Sequence, residues 1–305
     1  MSVIGFDTSN YTTSIAFFDG KDGVNCSRLL PVKPGELGLR QSDAVFHHTK
    51  SLPELSGRLF SHVQGSIEAV GVSTRPRAVE GSYMPCFMVG YSHAKLISDM
   101  LSVPLVEVSH QQGHVAASLW SAGRMDLMDK AHLAWHLSGG TTELLLIEPD
   151  GKNVRATKIG GTTDISAGQL IDRTGVMLGL SFPAGKHVDA LSKEAVGKEV
   201  FRVKCPGMEF SLSGVQNKVQ QFSEKNEPAE TAAYALRCVA YAVKKATENA
   251  LKEYPGLEVV FSGGVASNSM LREVLKDLNP VFCPPQYSTD NAMGVAVLAH
   301  RLTEV

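Results

Sequence analysis

No two of the five cysteines (Cys26, Cys86, Cys205, Cys238, Cys283) form a C-x-x-C pair, and their number is odd. That pattern argues against a disulfide framework and a structural zinc site, and it suits a reducing compartment. Neither sign of charge is in excess: 29 Lys and Arg against 31 Asp and Glu leave a formal net charge of -2. Tight nucleic-acid binding by the chain alone is therefore not indicated; a local patch or a partner would have to supply the phosphate-binding charge. No apolar run reaches the length of a membrane span. The N-terminus enters an alternating strand directly, without the charged and apolar regions of a signal peptide, so the expected location is the cytoplasm and no membrane partner is expected. At 305 residues the chain has room for two domains.

What the chain does have is a repeated device. Leu137-Ser138-Gly139-Gly140-Thr141-Thr142-Glu143 and Phe261-Ser262-Gly263-Gly264-Val265-Ala266-Ser267-Asn268 each end an apolar, strand-like run in Ser-Gly-Gly. Paired glycines can take positive φ and bring backbone N–H groups against a ligand, and amides gathered in such a turn form an anion nest. A third polar turn, Asp7-Thr8-Ser9-Asn10-Tyr11-Thr12-Thr13-Ser14, follows the strand Val3–Phe6. Three such devices along one chain suggest a nucleotide held between two lobes.

The order of elements points the same way. Strands are expected at Val3–Phe6, Thr13–Phe18 and Val24–Leu30, then a loop at Pro31–Gly38 and a helix over His47–Val63. Strand, helix, strand and helix follow at Ile67–Val72, Met88–Leu101, Leu105–Val108 and His110–Trp120. A similar order returns after about residue 131, with strands at Leu133–Leu137, Leu144–Glu148 and Val154–Ile159. Helices near Ile165–Leu178 and Val188–Ala195 come next, then an alanine-rich helix from about Ala229 to Tyr254, the strand Leu257–Phe261, and helices at Ser269–Leu278 and Asp290–Leu302. This reads as a duplicated α/β unit. The expected division is 1–115 with the C-terminal helix at about 286–305 for one lobe, and 116–285 for the other.

His110 and His114 are four residues apart, a spacing that puts two imidazoles on one helix face and suits a shared metal ion. Gln111 stands where the glutamate of H-E-x-x-H would be, which disfavours a zincin-type protease. His136, at a strand end before the first Ser-Gly-Gly, and Asp290, before the last helix, could complete the set, although Asp290 alone reads as a helix cap. His132 shares a strand face with His136 and reads as structural. Asp164 and Asp172 flank Gly168, which would let a flat ligand approach a helix. Asp172 reads either as a ribose-hydroxyl ligand or as part of a solvated helix face.

Together these residues resemble the tRNA threonylcarbamoyladenosine transferase family, also called the glycoprotease or O-sialoglycoprotein endopeptidase family, within the actin/sugar kinase/Hsp70 superfamily. His110-Gln111-Gln112-Gly113-His114 resembles its H-x-E-G-H motif, and Ser138-Gly139-Gly140-Thr141-Thr142 its S-G-G-[HN]-T loop. The run from Asp164 to Asp172 resembles L-D-x-x-x-G-x-x-x-D, and Ser181-Phe182-Pro183-Ala184-Gly185 resembles the Y/F-P-G-G turn. Phe210-Ser211-Leu212-Ser213-Gly214 is similar to F-S-F-S-G, Gly263-Gly264-Val265-Ala266-Ser267-Asn268 to G-G-V-x-x-N, and Ser288-Thr289-Asp290-Asn291 to C-T-D-N. The resemblance implies an α/β actin-like fold with two ribonuclease H-like lobes around a nucleotide cleft. It also implies one divalent metal (Fe or Zn before Mg) on His110, His114 and Asp290, with His136 as a further ligand. Adenine nucleotide (ATP, AMP or threonylcarbamoyl-AMP) would lie on Ser138, Gly139, Gly140, Thr141, Thr142, Gly168, Asp172, Gly185, Gly264 and Asn268. Asp7, Ser9, Asn10 and Ser211 would face the substrate. The implied reaction is threonylcarbamoyl transfer to an adenosine of tRNA with release of AMP. The tRNA would be bound with partner proteins, among them another actin-fold protein.

The chain also departs from the family pattern. Tyr11 and Thr12 replace two carboxylates after the first strand, Arg75-Pro76-Arg77-Ala78 replaces G-P-G-L, and Thr141 and Gln216 replace a His/Asn and a lysine. The family's G-G-V-x-P-E-x-A-S-R segment has no clear counterpart within Leu30–Asp43. These changes keep an alternative in view: a divergent nucleotide- and metal-binding paralogue with another acceptor or a regulatory role. A metalloendopeptidase is the least favoured reading.

Overall fold

The computed structural model describes residues 1–31, 39–63, 65–287 and 289–304. Most of the expected loop Pro31–Gly38, and Ser288 of the Ser-Thr-Asp-Asn motif, lie outside the described residues. Elements in chain order are β1 (Ser2–Thr8), β2 (Thr12–Phe18), β3 (Gly23–Leu29), α1 (Gln41–Phe60), β4 (Ile67–Arg75), α2 (Phe87–Leu101), β5 (Leu105–Ser109) and α3 (His110–Ser121). A second run follows with β6 (His132–Leu137), β7 (Thr142–Asp150), β8 (Asn153–Thr162), α4 (Ala167–Met177), α5 (Gly185–Ser192), β9 (Glu209–Phe210) and α6 (Ser213–Ser223). It continues through α7 (Pro228–Glu253), β10 (Val259–Ser262), α8 (Ser269–Leu275) and β11 (Val281–Phe282), and α9 (Met293–Thr303) comes last.

The chain divides into two compact units. Unit 1 comprises Met1–Lys130, Glu148–Ala156 and Asp290–Val305, and unit 2 comprises Ala131–Ile147 and Thr157–Thr289. Helix α3 belongs whole to unit 1, so that unit runs on past the expected boundary at 115.

In unit 1 the strand order is β3-β2-β1-β4-β5. β1 pairs antiparallel with β2 and parallel with β4, while β5 pairs parallel with β4. In unit 2 the order is β11-β10-β6-β7-β8-β9, in which β8-β7-β6-β10-β11 repeats the first sheet strand for strand. The duplication expected from element order is thus present as topology, with the short β9 added at one edge.

The strands form where the sequence makes them. β2 is buried along its whole length between β1 and β3, with the apolar Ile15, Ala16, Phe17 and Phe18 in its second half. Ile4, Phe6, Ile15 and Phe17 pack with Leu52, Leu55 and Leu59 of α1. In unit 2, Trp135, Leu144 and Phe261 pack on the alanine-rich face of α7, and the Trp135 indole N–H is satisfied by Thr247 Oγ1 at 2.9 Å. Small residues on α7 let that long helix lie close to the sheet. α6, β9 and β11 had no counterpart among the elements expected from the sequence.

One packing contact determines where the site forms. A Cβ built on Gly294 of α9 would lie 1.8 Å from the Gly113 carbonyl oxygen and 2.7 Å from Ala117 N. Helices α3 and α9 therefore meet backbone to backbone, an approach only glycine permits. That contact brings the segment ahead of α9 to the first turn of α3.

Candidate functional site

Ser109 ends β5 and caps α3. Its hydroxyl accepts from Gln112 N at 3.2 Å while Gln112 Oε1 accepts from Ser109 N at 2.9 Å, a closed capping box. The Gln112 amide also donates to the Val154 carbonyl at 2.8 Å, so the residue at the family's glutamate position is occupied structurally. His110 is thereby fixed as the first residue of the helix, and His114 stands one turn on. Their Nε2 atoms are 3.0 Å apart. His114 Nε2 lies 3.1 Å from Asp290 Oδ1, and His110 Nε2 lies 3.6 Å from the same oxygen. Among the described residues, these three form a group whose ligand atoms converge as metal ligands would. Ligands about 2.1 Å from one ion stand roughly 3.0 to 3.4 Å apart in octahedral or tetrahedral geometry, close to the edges seen here.

Asp290 does not cap α9. It lies three residues ahead of the helix's first residue, and the N-cap, Ala292, makes no side-chain cap bond. Asp290 Oδ2 instead accepts from Ser9 Oγ at 3.3 Å. The cap reading fails because the carboxylate is turned toward α3.

Asp7, expected to face substrate, is fully buried behind His110. The Nδ1–H of His110 donates to Asp7 at 3.0 and 3.1 Å, and Ser73 Oγ donates to Asp7 as well. A carboxylate on Nδ1 fixes the tautomer and leaves Nε2 as the lone-pair donor. Ser9 is also buried, and it anchors Asp290. Asn10 is partly exposed and accepts from the Gln41 amide at 2.6 Å.

Burial pushes the His110 imidazolium down, but the Asp7 and Asp290 carboxylates outweigh it and lift His110 to about 10. Burial works to raise Asp290 too; its bonds to His110 and His114 prevail and hold it well below the usual carboxylate range. Two carboxylates thus face two imidazoles, and a proton balances part of the charge. That is an environment a divalent cation fits.

His136 stands at the end of β6 in unit 2, opposite Ser262 on β10 and Glu143 on β7. It is not part of the three-residue group. His132 is fully buried, in keeping with a structural part.

The glycine loops lie in unit 2. The first is closed by its own residues: Ser138 N–H donates to the Thr141 carbonyl at 2.8 Å, and Thr141 N–H to Ser138 Oγ at 3.0 Å. Gly139 and Gly140 are exposed, and a Cβ on either would meet nothing within 4 Å, so the turn offers open backbone. Contrary to the expected positive φ, only Gly263 of the four glycines takes it, at 92°, where a Cβ would strike Leu137 backbone. Gly185 and Gly264 are open in the same sense. Gly168 is not. A Cβ there would lie 2.5 Å from Ser138 O and Gly139 Cα, and Ser166 Oγ donates to Gly139 O at 2.6 Å. The glycine admits the loop itself, not a ligand. Thr142 is likewise buried, and its hydroxyl accepts from Ala167 N at 2.8 Å. Asn268 caps α8 through Leu271 N at 3.0 Å. Asp172 accepts from Ala184 N at 2.8 Å, and burial raises its pKa.

Ser211 Oγ donates to Asp164 at 2.5 Å, and Leu212 N–H and Ser213 N–H bind the same carboxylate. Burial works against these bonds, yet they hold Asp164 well below its ordinary range. Ser211 is therefore tethered, although exposed. Of the family-pattern departures, Tyr11 is exposed, Thr12 is buried in β2, and Gln216 accepts from Arg173 at 2.7 Å. Ser73 and Gln112 were missed as supports. A polar residue ending the buried run within β4 was the available signal for Ser73, and the S-x-x-Q spacing was the signal for Gln112.

The sheet topology repeated in the two units is that of an actin/sugar kinase/Hsp70-like α/β fold, and the His110, His114 and Asp290 group stands at a strand-to-helix turn of unit 1. Solved structures share the fold across the chain. Full-length HypF in its phosphate- and nucleotide-bound form has a TM-score of 0.62 at 15% identity, covering 100% of this chain and 47% of that one. A ROK family glucokinase from Streptomyces griseus has a TM-score of 0.56 at 11% identity, covering 99% and 100%. The family model TsaD, tRNA N6-adenosine threonylcarbamoyltransferase, matches residues 37–297, and the chain belongs to that family. A relative of that name from Carboxydothermus hydrogenoformans is 35% identical over 249 residues, 77% of this chain and 71% of its own. Another from Thermosipho africanus is 31% identical over 324 residues, 99% of this chain and 94% of its own.

Proposed function

We propose that this chain transfers a threonylcarbamoyl group to the N6 atom of a tRNA adenosine. The observation that carries the reading is the convergence of His110, His114 and Asp290 in a chain of the transferase family. The relatives' shared transferase name supports this over a peptidase or a non-transferase paralogue.

His110 and His114 Nε2 and an Asp290 oxygen would hold the metal, with Fe or Zn the fitting identity. When bound, the metal supplies Lewis-acid polarisation of the donor carbonyl and a template for its approach. Asp7 keeps the proton on His110 Nδ1, so that Nε2 stays a ligand, and Ser9 holds Asp290 in register. Threonylcarbamoyl-AMP is the donor: the adenosine amine forms the new C–N bond, the carbonyl–phosphate C–O bond breaks, AMP leaves, and the amine loses a proton. The open amides of Gly139 and Gly140 and the open face at Gly264 suit the adenylate. A net charge of -2 gives the chain little attraction for tRNA, so a partner protein, such as a second actin-fold chain, contributes that binding in the cytoplasm.

The test is complementation of a strain lacking its transferase, read as threonylcarbamoyladenosine in bulk tRNA by mass spectrometry. The gene is expected to restore the nucleoside, and His110→Ala is expected not to. Failure of the unmodified gene, together with no AMP release by purified protein given donor, tRNA and the strain's partner proteins, would refute the reading.

A further inference from the structure

Where β4 ends, the segment from Arg75 to Ser82 forms a cavity of about 390 Å³ lined by Arg75, Ala78, Val79, Glu80, Gly81 and Ser82. That volume falls toward the small end of ligand sites, which run roughly 300 to 1,000 Å³. Arg75 is in register with Ser109, the residue before His110, on the adjoining strand. The Gln111 N–H donates to the Pro76 carbonyl at 3.0 Å, so the cavity loop is tied to the first turn of the metal-ligand helix. Arg77 N–H donates to Ser82 Oγ at 3.0 Å and closes the loop on itself. Among the described residues, the Arg75 guanidinium makes no hydrogen bond or ion pair, and neither does the Glu80 carboxylate that lines the same space.

We propose that this cavity binds the threonine end of the acyl donor, with Arg75 on its carboxylate. The proposal rests on the transferase reading for the identity of the donor. The threonylcarbamoyl group carries one carboxylate, one hydroxyl and one methyl group. A guanidinium takes a carboxylate through two parallel hydrogen bonds, a geometry that Arg supplies and Lys does not. Glu80 can accept from the hydroxyl, and Ala78 and Val79 present apolar surface for the methyl. The ligand-facing charge also decides against an RNA phosphate: one Arg and one Glu leave the lining neutral, whereas phosphate tracks gather unopposed cations. In place of the family's G-P-G-L, this chain therefore carries a cation beside the metal-binding turn, used for donor selection.

The experiment has two arms on the full chain. In the first, N-carbamoyl-L-threonine and its carboxamide are titrated at millimolar concentration against wild type, Arg75→Ala and Arg75→Lys by protein-observed NMR. Wild type is expected to bind the acid better than the carboxamide. Arg75→Ala should weaken the acid by roughly tenfold to a hundredfold and leave the carboxamide unchanged, with Arg75→Lys between. Unchanged thermal midpoints are expected, because the guanidinium has no described partner to lose. The second arm measures KM for donor and for tRNA in the transfer reaction. A raised donor KM with an unchanged tRNA KM supports the proposal; a raised tRNA KM with an unchanged donor KM assigns Arg75 to RNA and overturns it. Absence of saturable binding of the acid to wild type also overturns it. If the acid binds in an Arg75-dependent way while no transfer occurs, the transferase reading fails and the cavity assignment stands.

Discussion

Replacing Gly294 by alanine should dismantle the proposed metal triad without touching any of its three side chains. The added methyl would lie 1.8 Å from the Gly113 carbonyl oxygen, where a relaxed carbon–oxygen contact is about 3.3 Å, so α9 must retreat by about 1.5 Å. Both sides of the contact are helix backbone, and neither can turn aside as a side chain would. Overpacking of this kind costs typically 1 to 3 kcal/mol, and about 3 kcal/mol is expected here. Asp290 precedes Gly294 by four residues, and a ligand oxygen displaced by more than a few tenths of an ångström leaves the bonding distance. Urea unfolding of chelator-treated protein and metal content by mass spectrometry check both effects. Gly57→Ala is the control: that α1 position has nothing within 4 Å of the new methyl, so a gain of up to about 1 kcal/mol and full metal content are expected. If Gly294→Ala unfolds within about 0.5 kcal/mol of wild type and keeps its metal, the close helix contact is not what assembles the site.

Asp7→Asn should leave the triad in place but weaken metal binding by roughly tenfold to a hundredfold, measured by competition with a chromogenic chelator. His48 is buried against Thr13 Oγ1 at 2.8 Å, and burial lowers its pKa from 6.5 to about 4. The unfolded chain alone takes up this proton as pH falls from 6.5 towards 4, so stability is full above that window and is lost through it, by at most roughly 3 kcal/mol. His48→Gln should flatten that part of the urea-stability profile; an unchanged slope refutes the assignment. Asp164→Ala should speed amide exchange at Leu212 and Ser213 while the exchange of α7 stays slow, since both amides lose their acceptor.

Local spacing made much of this legible. His110 and His114 had to share a face once α3 was helical, and the apolar runs ahead of each Ser-Gly-Gly had to be buried strands. The alanine content of α7, followed by Tyr254-Pro255-Gly256, gave both its extent and its end. What spacing could not report was which side of a residue is already occupied. Asp290 read as a cap because its partner in α3 is 176 residues away. Gly168 and Thr142 read as ligand contacts because nothing in their neighbours reveals that the Ser138–Thr141 loop and α4 fill those places. Asp7 was expected to face the substrate for the same reason: only the fold puts Ser73 and His110 on it. α6 escaped notice because its polar run carries few apolar anchors, Val215 and Val219 among them.

Helix α9 belongs to unit 1 but follows unit 2 in the chain, so the ribosome delivers it only after that unit. Between Lys130 and Asp290 lie 159 residues, the whole of unit 2 among them. At about 5 to 20 residues per second, His110 and His114 wait on the order of ten seconds before their carboxylate exists. During that interval β1 and β4 also lack the helix that packs against Gly5 and Gly71. A nascent chain that has not yet reached Asp290 thus lacks the full His110, His114 and Asp290 group, and the proposed metal site can form only after unit 2 has been made.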